Sequence, residues 1–397
     1  MPVLVVNAGS SSLKLRLLGD GDDLVDSADL PAGPAGIDAA GLADLLRSWT
    51  TPDAVGHRIV HGGTRFTGPV GIDGPVRGQL GDLTDLAPLH QPLSLAALDA
   101  VSAMLPGVPA VACFDTAFHA TLSPAAATYA VPAEWRERYG VRRYGFHGLS
   151  HAYCTRRAPE LLAVSPAGLR IVSCHLGAGA SLAAVVDGRS VDTTMGFTPL
   201  EGLVMATRSG TVDPGMVLWL QEHAGLPAGE VRVDLEQRSG LTGLAGSGDL
   251  RVVEARAAAG EPDAVLALEV FLHRLVTGIG AMTAAAGGVD VITFTGGIGE
   301  HSAEVRRRTV QRLAFLGAVL DPVRNAAVSG DADITAPGAT VRIAVLTARE
   351  DLQIARETRS LLRAGVDGLA NVGIGDDDAP HLHPGPVPSS SPGAPSD

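Results

Sequence analysis

Two segments of this chain, about 170 residues apart, are built on the same plan. They read PVLVVNAGSSSLKLRLL (residues 2–18) and RIVSCHLGAGASLAAVV (residues 170–186). In each, a run of four apolar residues leads to a six-residue turn built on Gly with Ser or Ala, and then to an alternating strand. A repeat at this distance predicts two duplicated α/β domains that face each other and bind a ligand in the cleft between them.

Length, charge and cysteine content narrow the class of protein. At 397 residues the chain is too long for one ordinary core, and about two domains are expected. A net charge of −13 argues against a nucleic-acid partner, which requires a clustered basic surface. Three cysteines without metal-ligand spacing indicate reduced thiols in a cytoplasmic protein and no zinc site. The start of the chain lacks a signal-peptide pattern. The long apolar run 264–286 contains Glu269, His273 and Arg274, so we expect a buried helix rather than a membrane span.

The turn of each repeat has the composition of an anion site. Gly177 and Gly179 remove side chains that would keep an anion away from the backbone amides. The corresponding turn of the first repeat offers the hydroxyls of Ser10 and Ser12 together with Lys14. Taken alone, this serine-rich turn is explained equally well by a surface hairpin.

Polar residues cluster in glycine-bounded turns between and after the repeats. Asp115 follows the apolar run VPAVACF, at the position where α/β sheets present catalytic side chains. For any single histidine of these clusters a structural role is favoured, but the set as a whole indicates a site. The histidines are His57, His61, His90, His147 and His151.

Two segments of the second half suit a nucleotide. SGLTGLAGSGDLR (239–251) is either a flexible connection or a loop that contacts base or ribose. DVITFTGGIGEHS (290–302) predicts a strand, a glycine turn and a helix start, which suits phosphate or ribose. Near the end, the strand 341–348 leads into a helix, and Glu350 either caps that helix or serves the site.

Taken together, these turns resemble those of the acetate kinase (acetokinase) family. The matching segments lie in family order between residue 3 and about residue 362: NAGSSSLK, GHRIVHGG, LAPLH, FDTAFH, YGFHG, HLGAGAS, MGFTPLEGLVMATRSG, SGDLR, GGIGE and the region of Glu350. The resemblance implies an α/β fold of two duplicated actin-like ATPase domains, of the acetate and sugar kinase type, with an active-site cleft between them. It also implies reversible, ATP-dependent phosphorylation of acetate to acetyl phosphate, and a homodimer.

We expect the first, actin-like domain to comprise residues 1–117 and the final helix 351–365, and the second, nucleotide-binding domain to comprise residues 118–350. From residue 366 to 397 the composition is that of a disordered tail, to which no active-site role is assigned.

The resemblance assigns catalytic roles that the chemistry supports. Phosphoryl transfer spreads negative charge over three equatorial oxygens, so the site needs fixed donors and cations. Arg58 and Arg208 would hold the carboxylate and the transferring phosphoryl, since a planar fork suits both. His147 would donate to the equatorial oxygens, with His175 nearby and His90 in support. Acetate is ionised at pH 7 and needs no base.

The remaining assignments follow the same resemblance. Asp115 would act as an arginine or metal partner, and Asn7 and Glu350 would contact Mg²⁺, or Mn²⁺, directly or through water. Arg58, Val60, Leu89, Phe146 and Pro199 would surround acetate. The nucleotide set is Ser10, Ser12, Lys14, His175, Leu176, Gly177, Gly179, Asp249, Leu250, Arg251, Gly297, Ile298, Gly299 and His301.

The chain departs from the family pattern at four positions. Ala178 replaces an asparagine of the glycine turn, Gln91 follows the LAPLH motif, and His301 and Arg349 lie where Asn is usual. These changes leave the phosphate donor open between ATP, another nucleoside triphosphate and pyrophosphate. A kinase acting mainly on propionate or another short acid, and a weakly catalytic nucleotide-binding switch, are the alternative functions.

Overall fold

The computed structural model describes residues 1–9, 12–33, 36–88 and 91–365, which form two sheets flanked by helices. The first sheet has the order β4-β3-β2-β1-β5-β7-β6. Its strands are β1 Val3–Ala8, β2 Ser12–Leu18, β3 Leu24–Gly33, β4 Gly36–Ile37, β5 Ala54–Ile59, β6 Val70–Gly71 and β7 Ala110–Phe114. The second has the order β10-β9-β8-β11-β13-β12. Its strands are β8 Arg170–Leu176, β9 Ala180–Val186, β10 Arg189–Thr193, β11 Val291–Thr295, β12 Ala332–Asp333 and β13 Arg342–Val345.

The helices fill the connections between these strands and the ends of the chain. They are α1 Ala39–Ser48, α2 Gly74–Asp82, α3 Gln91–Met104, α4 Pro124–Ala127, α5 Ala133–Tyr139, α6 Gly148–Leu162, α7 Pro214–His223, α8 Ala228–Gln237, α9 Gly240–Ala245, α10 Leu250–Ala258, α11 Pro262–Ala285, α12 Gly296–His301, α13 Ala303–Arg312, α14 Pro322–Ala326 and α15 Glu350–Arg363.

Both sheets are built in the same way. In the first, β1, β2 and β3 form an antiparallel meander, and β5 and β7 then join β1 in parallel. In the second, β8, β9 and β10 form the meander, and β11 and β13 join β8 in parallel. The predicted duplication is therefore confirmed at the level of strand order and direction.

The predicted hairpin turns begin too early. Asn7 pairs with Lys14 inside the first hairpin, and His175 pairs with Ser181 inside the second. Backbone pairing depends little on the side chain, so both strands continue until a glycine interrupts them. The second turn is reduced to Gly177–Gly179, and the side chains of Asn7 and His175 are fixed on strands rather than carried by a loop.

Helix α15 connects the two halves of the molecule. It follows β13 of the second sheet but packs on β1, β5 and β7 of the first, where Ile354 and Ala355 are fully buried beside Val3 and Cys113. The sequence assigns residues 351–365 to the first domain, and the helix itself starts one residue earlier, at Glu350, and also packs on α6. The tail 366–397 lies outside the described residues.

Helix α11 is, among the described residues, the one helix long and apolar enough to cross a membrane. Its apolar residues repeat at helical spacing and one face is buried against β9, α9 and α10. Leu266 on another face is 56% exposed. The prediction of a buried helix therefore holds for one face only.

Candidate active site

The first part of the site lies where three neighbouring parallel strands end. Asn7 and Arg58 lie one residue before the ends of β1 and β5, and Asp115 directly follows β7. The Arg58 guanidinium forms a bidentate ion pair with Asp115, in which Nε donates to Oδ1 at 3.0 Å and Nη2 donates to Oδ2 at 2.6 Å. Its Nη1 donates to Asn7 Oδ1 at 3.1 Å. Parallel strands thus bring three predicted site residues together at one edge of the sheet.

Glu350 reaches this cluster from the first turn of α15. Its Oε2 accepts a hydrogen bond from Asn7 Nδ2 at 3.1 Å and lies 3.7 Å from Arg58 Nη1. Glu350 is also the first residue of α15, so its charge suits the helix N-terminus, but the hydrogen bond that its carboxylate accepts comes from Asn7. Burial acts to raise the pKa of Glu350, and the charge of Arg58 with other nearby donors outweighs it, so the pKa lies below its ordinary value.

Burial and charge oppose each other in the Arg58–Asp115 pair. Burial acts to lower the pKa of Arg58, and the two carboxylates beside it reverse the effect, so the pKa is raised. For Asp115, which is almost fully buried, burial is the largest influence and raises the pKa, while the two bonds from Arg58 favour the ionised form. The bidentate geometry identifies an ion pair, in which Arg58 remains charged.

His147 lies at the start of α6 in a left-handed conformation, with φ of 56°. Glycines on both sides allow this turn: a Cβ on Gly145 would lie 2.6 Å from His119, and one on Gly148 would lie 2.2 Å from the Asp115 carbonyl. The His147 ring lies 4.3 Å from the His175 ring between centroids. Burial, together with the positive charge of neighbouring side chains, holds the pKa of His147 well below its ordinary value.

The glycine turn Gly177–Gly179 faces both His147 and a second arginine. A Cβ on Gly179 would lie 3.2 Å from His147 Nε2 and 3.5 Å from Arg208 Nη2. The turn of α12 abuts it, since a Cβ on Gly296 would lie 2.7 Å from the Leu176 carbonyl. The Gly177 amide is not free for a ligand, because it donates to the Gly179 carbonyl at 2.9 Å. The amides of the turn that could bind an anion are therefore those of Ala178 and Gly179.

Arg208 differs from Arg58 in its surroundings. Within the described part of the chain, no carboxylate lies within ion-pair distance of its guanidinium, and its one side-chain hydrogen bond goes from Nη1 to the Pro199 carbonyl at 2.8 Å. Burial lowers the pKa of Arg208, although Glu236 counteracts part of the effect. A partly buried cation without a fixed anion is suited to an anionic ligand.

Three of the apolar residues predicted to surround acetate lie in the described part of the chain. Val60 and Phe146 are buried in the same core cluster, and Pro199 is tied to Arg208 through its carbonyl. The remaining predicted member, Leu89, lies outside the described residues, as do Ser10 and His90. The described members are apolar, which suits a methyl group.

Several predicted residues occupy places that limit their roles. His57 and His61 are buried in the core, where burial lowers the pKa of each to about 4. Leu176 and Leu250 have buried side chains, so only their backbones are available to a nucleotide.

Asp249 caps α10 through the Arg251 amide and forms an ion pair with the Arg251 side chain at 2.6 Å. Among the remaining predicted nucleotide residues, those with exposed positions are Lys14, Arg251, Gly297 and His301, and those less exposed are Ser12, Ile298 and Gly299.

The sequence analysis missed the serines behind the histidines. Ser150 Oγ lies 2.8 Å from His175 Nδ1, and Ser181 Oγ lies 2.9 Å from His147 Nδ1. Ser173 bonds His151 in the same way at 2.9 Å. These serines are hard to recognise from the sequence, because a serine in an alternating strand is indistinguishable from any small buried residue.

Oxygen ligands for a cation are present but few. Among the described residues, no three His, Cys, Asp or Glu side chains form a metal group. Glu350 contributes a carboxylate, while the amide oxygen of Asn7 already accepts from Arg58. This set fits Mg²⁺, which is commonly held by one or two protein oxygens, waters and substrate phosphates.

Known proteins are similar to this chain over most of its length. The sequence model of the acetokinase family matches residues 40–356. An acetate kinase of Carboxydothermus hydrogenoformans is 43% identical over 395 residues, 91% of this chain and 99% of that protein. One of Phocaeicola vulgatus is 42% identical over 396 residues, 91% of this chain and 100% of that protein.

Solved structures match as well. The acetate kinase of Porphyromonas gingivalis superposes with a TM-score of 0.83 at 36% identity, covering 91% of this chain and 99% of that one. A propionate kinase of Francisella tularensis gives 0.83 at 34% identity, covering 90% and 99%. The predicted fold class is confirmed, and the chain belongs to the acetokinase family.

Proposed function

We propose that this protein is a kinase that transfers the γ-phosphoryl group of ATP to acetate, reversibly and by direct in-line displacement, giving acetyl phosphate and ADP. The observation that carries the proposal is the convergence of Arg208 and His147 on Gly179, beside the Arg58 cluster. Fixed donors around one small space are what a transferring phosphoryl group requires, because its charge spreads over several oxygens.

The two arginines differ in how many N–H donors remain free for a ligand, and we assign their roles on that basis. Three of the five N–H donors of Arg58 are already bonded to Asp115 and Asn7, which leaves two for an acetate or phosphoryl oxygen. Arg208 uses one donor on the Pro199 carbonyl. We therefore assign Arg58 to positioning and Arg208 to the charge that develops during transfer.

No general base is part of this mechanism. Acetate is already a carboxylate at pH 7, so its oxygen attacks without losing a proton. Asp115 is bound on both oxygens by Arg58 and serves to orient that guanidinium. His147, with its lowered pKa, is neutral at pH 7 and acts as a hydrogen-bond donor rather than as a cation.

Mg²⁺ is the proposed metal, with Mn²⁺ as a substitute, and Glu350 is its proposed protein ligand, with Asn7 contacting it through water. When bound there, the ion would neutralise charge on the β- and γ-phosphate oxygens. The same residues also position Arg58, so the metal site and the substrate site share one hydrogen-bonded cluster.

Glu350→Ala is expected to raise the Mg²⁺ concentration needed for half-maximal activity by about tenfold or more, because the proposed carboxylate ligand is lost. Asp351→Ala is the matched control, since Asp351 pairs with Arg349 at 2.9 Å and not with the cluster. The measurement is a magnesium titration of turnover for both variants. Identical titrations for Glu350→Ala and the unmodified protein would rule out the metal role.

Acetate is the proposed main substrate, because relatives at 42–43% identity are acetate kinases and the predicted acyl site contains the apolar, buried side chains of Val60 and Phe146. An additional methylene changes discrimination by about 1–3 kcal/mol, so propionate is expected as a weaker substrate. The test is trapping of acyl phosphate as the hydroxamate, with acetate, propionate or butyrate at equal concentration, and with ATP or pyrophosphate as donor. Preference for a longer acid or for pyrophosphate would reassign the substrate, and no product in any combination, with nucleotide still bound, would favour the switch alternative.

We also propose a homodimer, supported by the surface of α7. This helix buries none of its residues, and Met216, Leu218 and Trp219 are 41%, 56% and 55% exposed. Exposed apolar patches of this kind mark association surfaces. Light scattering is expected to give the mass of two chains, and Trp219→Glu that of one. A monomeric unmodified protein would refute the proposal.

The proposed location is the cytoplasm, supported by three cysteines that are all unpaired and buried. No nucleic-acid partner is proposed for a chain with a net charge of −13.

A further inference from the structure

A buried chain of hydrogen bonds runs behind His147. From His147 Nδ1 it passes to Ser181 Oγ at 2.9 Å and from there to His151 Nε2 at 2.8 Å. It ends with His151 Nδ1 and Ser173 Oγ at 2.9 Å. Ser173, Ser181 and His151 have no exposed surface. His151 lies one helical turn after His147 on α6, which places both rings against β9.

The hydroxyl of Ser181 restricts the protons of both histidines. A serine hydroxyl has one proton to donate and lone pairs that accept. Ser181 Oγ is bonded to two imidazole nitrogens, so it donates to one and must accept an N–H from the other. The chain therefore has two consistent arrangements for neutral rings, which differ in direction.

In the first arrangement, the Ser173 hydroxyl donates to His151 Nδ1, His151 Nε2–H donates to Ser181, and Ser181 donates to His147 Nδ1. His147 then carries its proton on Nε2, the atom that lies beside Gly179 and the proposed phosphoryl position. In the second arrangement every bond is reversed. His147 Nε2 then carries a lone pair and no proton, and it repels phosphoryl oxygens.

The surroundings of Ser173 favour one of the two proton arrangements. In the second arrangement Ser173 accepts from His151, and its own proton needs another acceptor. Within the described part of the chain, the buried thiol of Cys154 is the other side chain that Ser173 can bond besides His151, and a thiol sulfur is only a weak acceptor. A fully buried hydroxyl proton with only a weak acceptor is unfavourable compared with one donated to an imidazole nitrogen, so the first arrangement is preferred before any ligand binds.

We infer that Ser181 and His151 are positioning residues that hold the proton of His147 on Nε2, so that a neutral imidazole is always ready to donate to the transferring phosphoryl group. The inference rests on the proposed kinase function for its purpose. The hydrogen-bond direction itself rests only on the geometry of the four side chains. Holding the wrong tautomer at a catalytic histidine is known to be costly even when the geometry is intact.

The test combines kinetics with ¹⁵N NMR of the full-length protein carrying labelled histidine. In the unmodified protein, His147 is expected as the neutral Nε2–H tautomer. Ser181→Ala is expected to let both tautomers of His147 be populated and to lower kcat by about 10- to 100-fold, with KM values little changed. His151→Gln, whose amide nitrogen can still donate to Ser181, should retain most activity, whereas His151→Leu should behave like Ser181→Ala.

Ser190→Ala is the matched control. Ser190 Oγ bonds His119 Nδ1 at 2.8 Å, and it is as fully buried as Ser181. His119 Nε2 faces the Phe146 carbonyl at 3.0 Å, which only accepts, so that ring keeps its tautomer without the serine. The control should leave the His147 spectrum unchanged.

Two results would overturn the inference. One is an Nδ1–H tautomer of His147 in the unmodified protein, which needs no variant and no activity to be observed. The other is an unchanged His147 tautomer and kcat in His151→Leu, a variant that also serves if Ser181→Ala fails to fold. An unmodified protein without kinase activity would refute the proposed function but would still leave the NMR result to decide the proton position.

Discussion

Replacing Arg208 with alanine is expected to lower kcat by about three orders of magnitude or more, because an arginine that stabilises the charge of a transferring phosphoryl group typically contributes that much. The loss corresponds to about 4 kcal/mol of transition-state stabilisation. Arg208 is the better candidate for this role than Arg58, since no carboxylate of the described residues pairs with it and most of its donors stay available.

The same surroundings predict that the fold tolerates this change. Arg208→Ala removes one hydrogen bond to the Pro199 carbonyl and a partly buried charge that burial already disfavours. The midpoint of thermal unfolding should therefore stay close to that of the unmodified protein. Arg238→Ala, at an exposed arginine paired with Asp234 on α8, is the control for loss of a positive charge and should retain full turnover. Near-normal turnover of Arg208→Ala would remove Arg208 from the mechanism.

The duplicated architecture was predictable because its signal is local. Each hairpin and its glycine turn fit within 17 residues, and strand alternation shows directly in the letters. Asp115 was predictable for a related reason, since it directly follows an apolar run. Asn7 and Arg58 were assigned through the family resemblance, and the ends of neighbouring parallel strands, which meet at one edge, bring them to Asp115.

Contacts between distant segments were not predictable in the same way. Asn7 and Glu350 are 343 residues apart, and their hydrogen bond exists because α15 returns to the first sheet. From the sequence, a carboxylate in the first turn of a helix favoured capping as strongly as function. Only the packing of Ile354 and Ala355 on that sheet turns Glu350 toward the cluster.

The histidines show a similar limit. His57 and His147 both lie in glycine-bounded motifs. His57 is nevertheless a core residue, whereas His147 lies beside Gly179 of the glycine turn. The difference arises from the backbone, since His147 adopts a left-handed conformation between two glycines that tolerate no Cβ. Side-chain pattern alone does not report φ, and neither does it report the buried hydroxyl of Ser181 behind the ring.

The second large effect concerns the Arg58–Asp115 pair. Asp115→Ala would leave a guanidinium that is only 17% exposed with Glu350 as its nearest carboxylate, at 3.7 Å. Removing one partner of a buried ion pair costs about 3–5 kcal/mol, and we expect the lower end because Glu350 compensates in part. Asp115→Ala should therefore lose about 3 kcal/mol of unfolding free energy in urea denaturation, and lose activity because Arg58 is no longer oriented.

The double variant Arg58→Ala/Asp115→Ala separates charge from packing. If the cost of Asp115→Ala is an unpaired buried cation, removing the cation as well should recover a large part of the lost stability, although not the activity. The opposite outcome is a double variant that is less stable than the unmodified protein by the sum of the two single losses, which would mean that the two side chains act independently. In that case an unpaired buried cation would not explain the cost of Asp115→Ala, and the pairing itself, at the ends of β5 and β7, would matter for the donors that it directs at the substrate.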